Sequence, residues 1–416
     1  MAPLDLANRF ADPTHADVRI EFALARAEYA HRAASRATAQ QWAAIAEVLD
    51  EARRSPDVYV DPALPMRHKE RREFAERAAA ADIAVRLGLS ESAVRTQAHE
   101  AETLRTRLPR VWSEFCEGEL APPQARVAAE LVLSLPDDRE LDAQFDGALA
   151  GIVSLPAGRF RVRARVLRER IHSVAMTERV RAAKESRGVW IDNDIDGMAL
   201  LSMKLPAETA HLAFARVDAA ARAAALDPTE TRTLAQLRAD IAADLLISGE
   251  LGDGRVPIAR VDVGVLIPML TLLGLSDEPG HLDGYGPIDA ETARRLAAHA
   301  PSFRRLLTHP VSGTLLGVDR TSYRPPADLK RWLAVTDQTC RFVGCGRLAR
   351  NSDIDHTIDR QYGGATRADN LAHLCRHHHR LKHMTKWTVE QEKSPDRRIS
   401  WTSPTGHQAT ADPPPF

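Results

Sequence analysis

Aromatic residues make up only 5 % of this 416-residue chain. Long stretches are instead rich in Ala, Arg, Glu and Leu, so helix is favoured over sheet. No apolar run reaches membrane-spanning length. The best, Val263 to Leu275, is short and contains Pro268. The start, MAPLDLANRF, has neither a basic segment nor an apolar core, so no secretory signal is expected and the cytoplasm is the expected address. Cysteine is scarce: four residues in a chain this long are not a disulfide framework. An excess of one charge is missing too, with 56 Lys+Arg against 57 Asp+Glu, which argues against general stickiness to nucleic acid.

What is present has a clear order along the chain. The length predicts about two or three domains. Helical spacing runs from Asp17 to Arg54, from His68 to about Arg107, on past Pro109 to Leu135, then over Asp142–Val153 and Arg159–Lys184. Alternation then predicts strands at Val189–Asp192 and Met198–Leu205 around a turn at Asp194–Gly197, and another at Arg260–Ile267. Two amphipathic helices, Ala207–Ala225 and Leu234–Ile247, separate them. A Gly- and Pro-rich loop follows at 276–288, then a short helix at Ala290–Ala300 and a strand at Gly313–Val318. The expected fold is mainly α with a small α+β middle layer and a C-terminal module. The expected boundaries are a tail at 1–18, a helical domain at 19–188, its α+β continuation at 189–325, the module at 326–408 and a disordered tail at 409–416.

The near-zero net charge hides an asymmetry. Residues 320–398 carry 16 Lys+Arg against 9 Asp+Glu, and residues 159–187 carry 10 against 3, so the rest is strongly acidic. A basic module on an acidic body points to a local polyanion site. Three of the four cysteines, Cys340, Cys345 and Cys375, also fall there, among six of the 16 histidines. In a reducing compartment that clustering reads as metal. Cys116 stands alone and reads as a buried helix thiol.

The informative stretch is CRFVGCGRLARNSDIDHTIDRQYGGATRADNLAHLCRHHHRLKH, 340–383. It holds C-x4-C at Cys340 and Cys345, a D-I-D-H run at 353–356, and N-L-x-x-L-C-x-x-H-H from Asn370 to His379. In type, order and spacing it resembles the HNH nuclease module, a ββα fold with one catalytic metal. Read from the residues, two cysteines on a tight Gly-containing turn form a knuckle. Cys375 and His378, three apart, share a helix face and can complete a Cys3His zinc site. The resemblance implies that His356 is the general base that activates water. It also implies that Asp355 binds a divalent cation, most simply Mg2+, and that Asn370 holds the His356 ring. Asn370 could equally do no more than shape the turn before the helix. His379, about 100° round the helix from His378, can face the catalytic metal. A register shifted by one would instead give zinc His379 and the catalytic metal His383. The family pattern favours the first register, with His377 and His383 exposed or supporting and His373 unassigned.

Phosphate contacts are expected from Arg360, Arg367, Arg376, Arg380, Lys382 and Lys386. Gly363 and Gly364 permit a sharp bend between strand and helix. A fragment of about residues 326 to 408 is expected to fold alone around its metal and to bind DNA.

The resemblance extends further. The blocks DGMALLSMKLPAE (196–208), TLAQLRADIAADLL (233–246), RVDVGVLIP…TLLGL (260–275), DEPGHLDGYGPI (277–288) and WTSPTGH (401–407) are similar to a large actinobacterial family. Its members pair a helical N-terminal domain of unknown function with an HNH module, and some are counted as repeat-family proteins of mycobacteria. Val343 and Asp359 depart from proline positions common in that family, which bears on loop geometry alone.

Two weaker signals remain. Residues 82–98 look like a helix-turn-helix, with Gly88 at the turn and Ser90 as a cap, but read more plainly as a capped helix hairpin. Arg161, Arg165 and Arg168 line one side of a basic helix that either holds DNA backbone or pairs with the acidic body. Three functions follow: a metal-dependent HNH endonuclease acting on DNA, a non-catalytic zinc-dependent DNA-binding protein, or an interaction scaffold. The complete constellation Asp355, His356, Asn370 and His379 favours the first.

Overall fold

Trp42, Ile45 and Leu49 recur at spacings of three and four along α1 (Ala16–Arg54), and this buried stripe is where the helical body assembles. In the computed structural model, residues 16–172, 174–248, 265–282, 284–298, 325–393 and 397–411 are described. Around α1 pack α2 (His68–Leu87), α3 (Glu91–Arg107), α4 (Pro109–Glu117), α5 (Pro122–Leu133), α6 (Arg139–Ala150) and α7 (Ala157–Ile171). Phe115, Phe145, Phe160, Leu104 and Leu149 fill the core between them, and Phe115 meets Trp42 edge-on at 5.2 Å.

Each break between these helices has a local cause. Gly88 takes a left-handed φ of 64°, and Ser90 Oγ accepts from Ala93 N at 3.1 Å to start α3. Prolines at 109 and 122 open α4 and α5, where a missing N–H costs nothing. Asp146, buried on α6, accepts from the backbone N–H groups of Arg110 and Val111 and so caps α4 from a neighbouring helix. The hairpin at 82–98 is thus the plain one: Val94, Gln97, Ala98, Ala101 and Leu104 of α3 are buried within the body. Cys116 lies on α4 but is exposed, because the buried face of α4 is set by Val111 and Phe115. The expected helix over Arg159–Lys184 is two helices, separated near His172.

The chain divides into two compact units, Met1–Ser173 with Arg305–Phe416, and Val174–Arg304. The composition change near 188 therefore lies inside the second unit. That unit contains α8 (Met176–Ala183), the antiparallel pair β1 (Gly188–Asn193) and β2 (Ala199–Lys204), and the helices α9 (Ala207–Ala224) and α10 (Leu234–Ser248). It continues with β3 (Val265–Leu266), the single turn α11 (Met269–Leu272), β4 (Gly280–Leu282), β5 (Gly286–Ile288) and α12 (Ala290–Ala298). The segment 276–288, expected as a loop, forms two strands of a three-stranded sheet ordered β3-β4-β5. Its glycines hid them. Gly280 lies so close to α12 that a Cβ there would meet Ala293 Cβ at 2.6 Å. The tip of this hairpin grips the β1–β2 turn, with Tyr285 Oη donating to Asp194 O at 2.8 Å and Asn193 Nδ2 donating to Gly284 O at 2.6 Å. The strand expected at Gly313–Val318 lies outside the described residues.

The chain then returns to the first unit with α13 (Ala327–Asp337), β6 (Asp353–His356), β7 (Leu371–Leu374), α14 (Arg376–Met384), β8 (Thr388–Gln391), β9 (Ile399–Thr402) and β10 (Gln408–Thr410). β6 and β7 are antiparallel, pairing Asp355 with Ala372 and His356 with Leu371. β8, β9 and β10 form a meander, and Ala411, in the expected tail, donates to Ile399 O and is buried. Among the described residues no helix is long and apolar enough to cross a membrane.

This C-terminal region has a small cluster of its own, Leu329, Trp332, Leu333 and Leu371, but its larger apolar side is shared with the helical body. Trp387 and Trp401 belong to one apolar cluster with Phe74, Ala78 and the rest of the helical body. Trp387 Nε1 donates to Ala78 O at 3.3 Å, Lys386 N to Tyr59 O at 2.8 Å, and Arg86 to Thr405 Oγ1 at 2.8 Å. The expectation of an independently folding fragment therefore changes, because cutting the chain at 326 would expose one side of this seam. Trp387→Ala in the full chain should cost about 3–5 kcal/mol. Denaturant unfolding measures this; a loss below about 1 kcal/mol would show that the seam is not a shared core.

Candidate metal centre

Thr339 and Leu348 form an isolated antiparallel bridge, and inside it the chain makes a tight turn. Cys340 N donates to Arg347 O at 2.7 Å and Cys345 N to Phe342 O at 3.1 Å, while Gly344 takes a φ of 71°. The turn brings Cys340 and Cys345 together. Opposite them, β7 ends at Leu374, Cys375 occupies the N-cap of α14, and His378 lies one helical turn on. The ligand atoms of Cys340, Cys345, Cys375 and His378 all lie within 4.8 Å of one another. His378 Nδ1 is 3.4 Å from Cys340 Sγ and 3.2 Å from Cys375 Sγ. Three thiols and an imidazole are a soft donor set, suited to a thiophilic metal ion. The neighbouring thiols Cys345 and Cys375, and then burial, push the Cys340 thiol up, while hydrogen bonding from Cys340 and Cys345 outweighs burial and holds Cys375 down.

The other ring nitrogen of His378 faces the helical body. Nε2 lies 2.7 Å from Glu91 Oε1, and His377 Nε2 lies 2.9 Å from Glu91 Oε2. Glu91 is the first residue of α3. Burial alone would raise its carboxyl, but the two histidines hold it down at about 2. The sequence carried no sign of this partner, which lies 287 residues away.

A second cluster sits on the adjoining face of α14. His379 Nε2 is 3.5 Å from Asp355 Oδ1, and His383 Nε2 is 3.5 Å from Asp355 Oδ2. The structure thus joins His378 to the thiols and His379 to Asp355. His383, expected as exposed or supporting, joins this second group, since it follows His379 by one helical turn. Burial disfavours charge on Asp355, but His379, His383 and Lys382 reverse that and hold the carboxyl far below the usual range. Lys382 Nζ is 2.8 Å from Asp355 Oδ2 and 2.9 Å from Asp359 Oδ1. Asp359 is therefore more than a departure in loop geometry: it adds a second carboxylate.

His356, next to Asp355, faces the other side of β6. Its Nε2 lies 3.0 Å from Thr366 Oγ1. Burial holds its imidazole below the ordinary value despite the Asp355 charge. Asn370 does not hold this ring. Its Nδ2 donates to Ile358 O and Ala365 O at 3.0 Å each, and its Oδ1 accepts from Ile358 N at 2.8 Å. The amide clenches the turn between β6 and β7, so tightly that a Cβ on Gly364 would overlap the Ile358 carbonyl.

The expected phosphate contacts divide. Arg360 and Arg376 are exposed. Arg367 pairs with Asp369 at 3.0 Å, and Arg380 lies over the Phe74 ring at 4.9 Å. Lys382 is buried in its carboxylate pair and does not present its ammonium outward, whereas Lys386 is exposed and its Nζ donates to Asp57 O. Arg161 and Arg165 are exposed on α7, whereas Arg168 donates to Ser134 Oγ at 2.7 Å.

Behind β7 lies a supporting network. Asp337, closing α13, accepts from His373 N and sits 2.9 Å from His373 Nδ1, which gives that histidine a structural role. Arg397 NH1 donates to Asp337 Oδ1 at 3.0 Å, and its guanidinium stacks 4.9 Å over Trp332. Burial would raise Asp337, but the Arg397 charge and the His373 bonds outweigh it and leave the carboxyl depressed.

A family model described as "Domain of unknown function (DUF222)" matches residues 29–337, ending just before Cys340. The chain is 32 % identical to the uncharacterized protein Rv3776 of Mycobacterium tuberculosis over 376 residues, covering 80 % of this chain and 70 % of that protein. It is 42 % identical over 92 residues to the uncharacterized proteins Rv2100 and MT2160 of the same species, covering 22 % of this chain and 16 % of each. No solved structure matches.

Two outcomes follow from the geometry. Purified protein should carry a metal ion at the Cys/His cluster that Cys345→Ser loses, and elemental analysis reads this directly; metal-free wild type would refute the cluster. Asp337 contributes stability above the ordinary aspartate value of about 3.9 and loses it as pH falls toward its depressed native value. Asp337→Asn should therefore flatten the acid limb of Tm against pH, and at neutral pH should cost about 3–5 kcal/mol by leaving Arg397 buried without its counter-charge. An unchanged acid limb would remove Asp337 from that role.

Proposed function

The chain belongs to the DUF222 family, and on that premise we propose that it is a metal-dependent endonuclease of the HNH type that hydrolyses phosphodiester bonds in DNA. One observation carries the reading: Asp355, His379 and His383 converge where a strand pair is followed by a helix, and His356 is the next residue after Asp355 on β6. The Cys340, Cys345, Cys375 and His378 cluster fits zinc and would clamp the turn, the strand pair and α14 together. Asp355, His379 and His383 offer one carboxylate and two imidazoles, a set that fits Mg2+ less naturally than a borderline divalent ion. Charge stabilisation at a phosphate oxygen is the chemistry such a cation supplies there.

The chain's own groups do the rest. His356 takes a proton from the attacking water. The ring is held at Nε2 by Thr366 Oγ1, 3.0 Å away, and burial disfavours its charged form, which keeps the imidazole neutral near pH 7. Asn370 fixes the turn that aims His356, acting through backbone rather than through the ring. Arg360 and Arg376, both exposed on this module, supply charge for the DNA backbone.

A second reading has its own support. Lys382 engages Asp355 Oδ2, so a cation must compete with an ammonium for that oxygen. A module whose carboxylate is neutralised in this way would serve as a zinc-stabilised DNA-binding element without catalysis. Plasmid cleavage separates the two. The endonuclease nicks or linearises plasmid with an added divalent cation, stops with EDTA, and loses roughly 10²-fold or more in His356→Ala. Full activity in His356→Ala would falsify the general-base assignment, and DNA binding without cleavage under any divalent cation would leave the second reading.

A further inference from the structure

His378 is the one proposed zinc ligand that reaches out of the C-terminal module. Its ring stacks on Phe342, with centroids 4.0 Å apart and planes 11° from parallel. Nδ1 points at the thiols, and Nε2 points at Glu91 Oε1 2.7 Å away. An ion shared between a nitrogen and an oxygen, about 2 Å from each, would hold them roughly 3.3 Å apart. At 2.7 Å the two atoms are in hydrogen-bond contact, which makes Glu91 a partner of the ligand rather than a ligand itself. Glu91 is well placed for this. It starts α3, where the helix favours a negative charge, and Arg95 NH2 is 2.7 Å from its other oxygen.

We propose that Glu91 is the positioning residue of the metal centre: it fixes the tautomer and aim of His378, so that the helical body helps set the metal affinity of the C-terminal module. A metal-bound imidazole that donates its second N–H to a carboxylate is a stronger and better-oriented donor. Here the carboxylate comes from the far side of the chain, 287 residues earlier. Metal retention and docking of the module on α3 are then one equilibrium: loading the cluster strengthens the His378–Glu91 bond, and undocking weakens the cluster. The inference rests on the zinc part of the proposed function and not on its nuclease chemistry.

The test titrates Zn2+ into the full-length chain against a chromophoric chelator. Glu91→Gln keeps the shape and removes the charge. It should weaken zinc affinity roughly 10–100-fold, and Glu91→Asp, which keeps the charge but shortens the reach, should also weaken it. His377→Ala removes a neighbouring partner of Glu91 without touching a ligand or the Glu91–His378 bond and should weaken affinity less than either Glu91 variant. A purely structural Glu91 would lower Tm equally with and without metal. The positioning role instead shrinks the gain in Tm that zinc confers. If Glu91→Gln does not fold, Glu91→Asp carries the comparison alone. Wild type without zinc affinity overturns both this inference and the zinc site. Wild type that binds zinc, with Glu91 variants of equal affinity and equal zinc-linked Tm gain, overturns this inference only.

Discussion

His378 is held in three directions at once. Phe342 sets the plane of the ring, the thiols take one nitrogen, and Glu91 takes the other. Few rotations satisfy all three, so the side chain fixes the position of α14 in the module. Everything that α14 carries then follows, because His379, Lys382 and His383 are placed by helical geometry once His378 is placed.

This arrangement lets one helix serve two clusters of different character. The face bearing His378 meets soft, buried sulfur, and the face bearing His379 and His383 meets carboxylates at a partly open edge. The two differ by a single residue step. Asp355 and His356 repeat the device on β6, where neighbouring side chains point to opposite faces: Asp355 meets α14 through its carboxylate, His356 through its backbone carbonyl, which accepts from Lys382 Nζ. Lys382 bridges Asp355 and Asp359, balancing charge that would otherwise crowd the edge.

Local chemistry was legible in the sequence. The helix start at Ser90, the β1–β2 hairpin, and the grouping of Cys340, Cys345, Cys375 and His378 could all be read from spacing and residue type, whereas the break between α4 and α5 before Pro122 was not. What could not be read was anything carried by distant pairs. Glu91 carries no mark in the sequence, yet it sits against two histidines. Lys382, Arg380 and Lys386 looked like phosphate contacts because sequence shows a charge but not its partner. The strands β4 and β5 were hidden by their glycines, of which Gly280 is needed for close packing, and Asn370 took the turn-shaping one of its two expected roles. The shared core of Trp387 and Trp401 was invisible for the same reason, since apolar residues do not announce which surface they cover.

The first unit is interrupted in the chain: it leaves at Ser173 and resumes at Arg305. Trp387 meets Ala78 across 309 residues of sequence. At ordinary synthesis rates that separation is roughly 15 to 60 seconds on the ribosome. Throughout that interval the helical body has its fold but not its cover, with the apolar face around Phe74 and Ala78 open to solvent. Contacts this remote also close slowly. The order of the segments therefore leaves that apolar face without its cover during synthesis until Trp387 and Trp401 have been made.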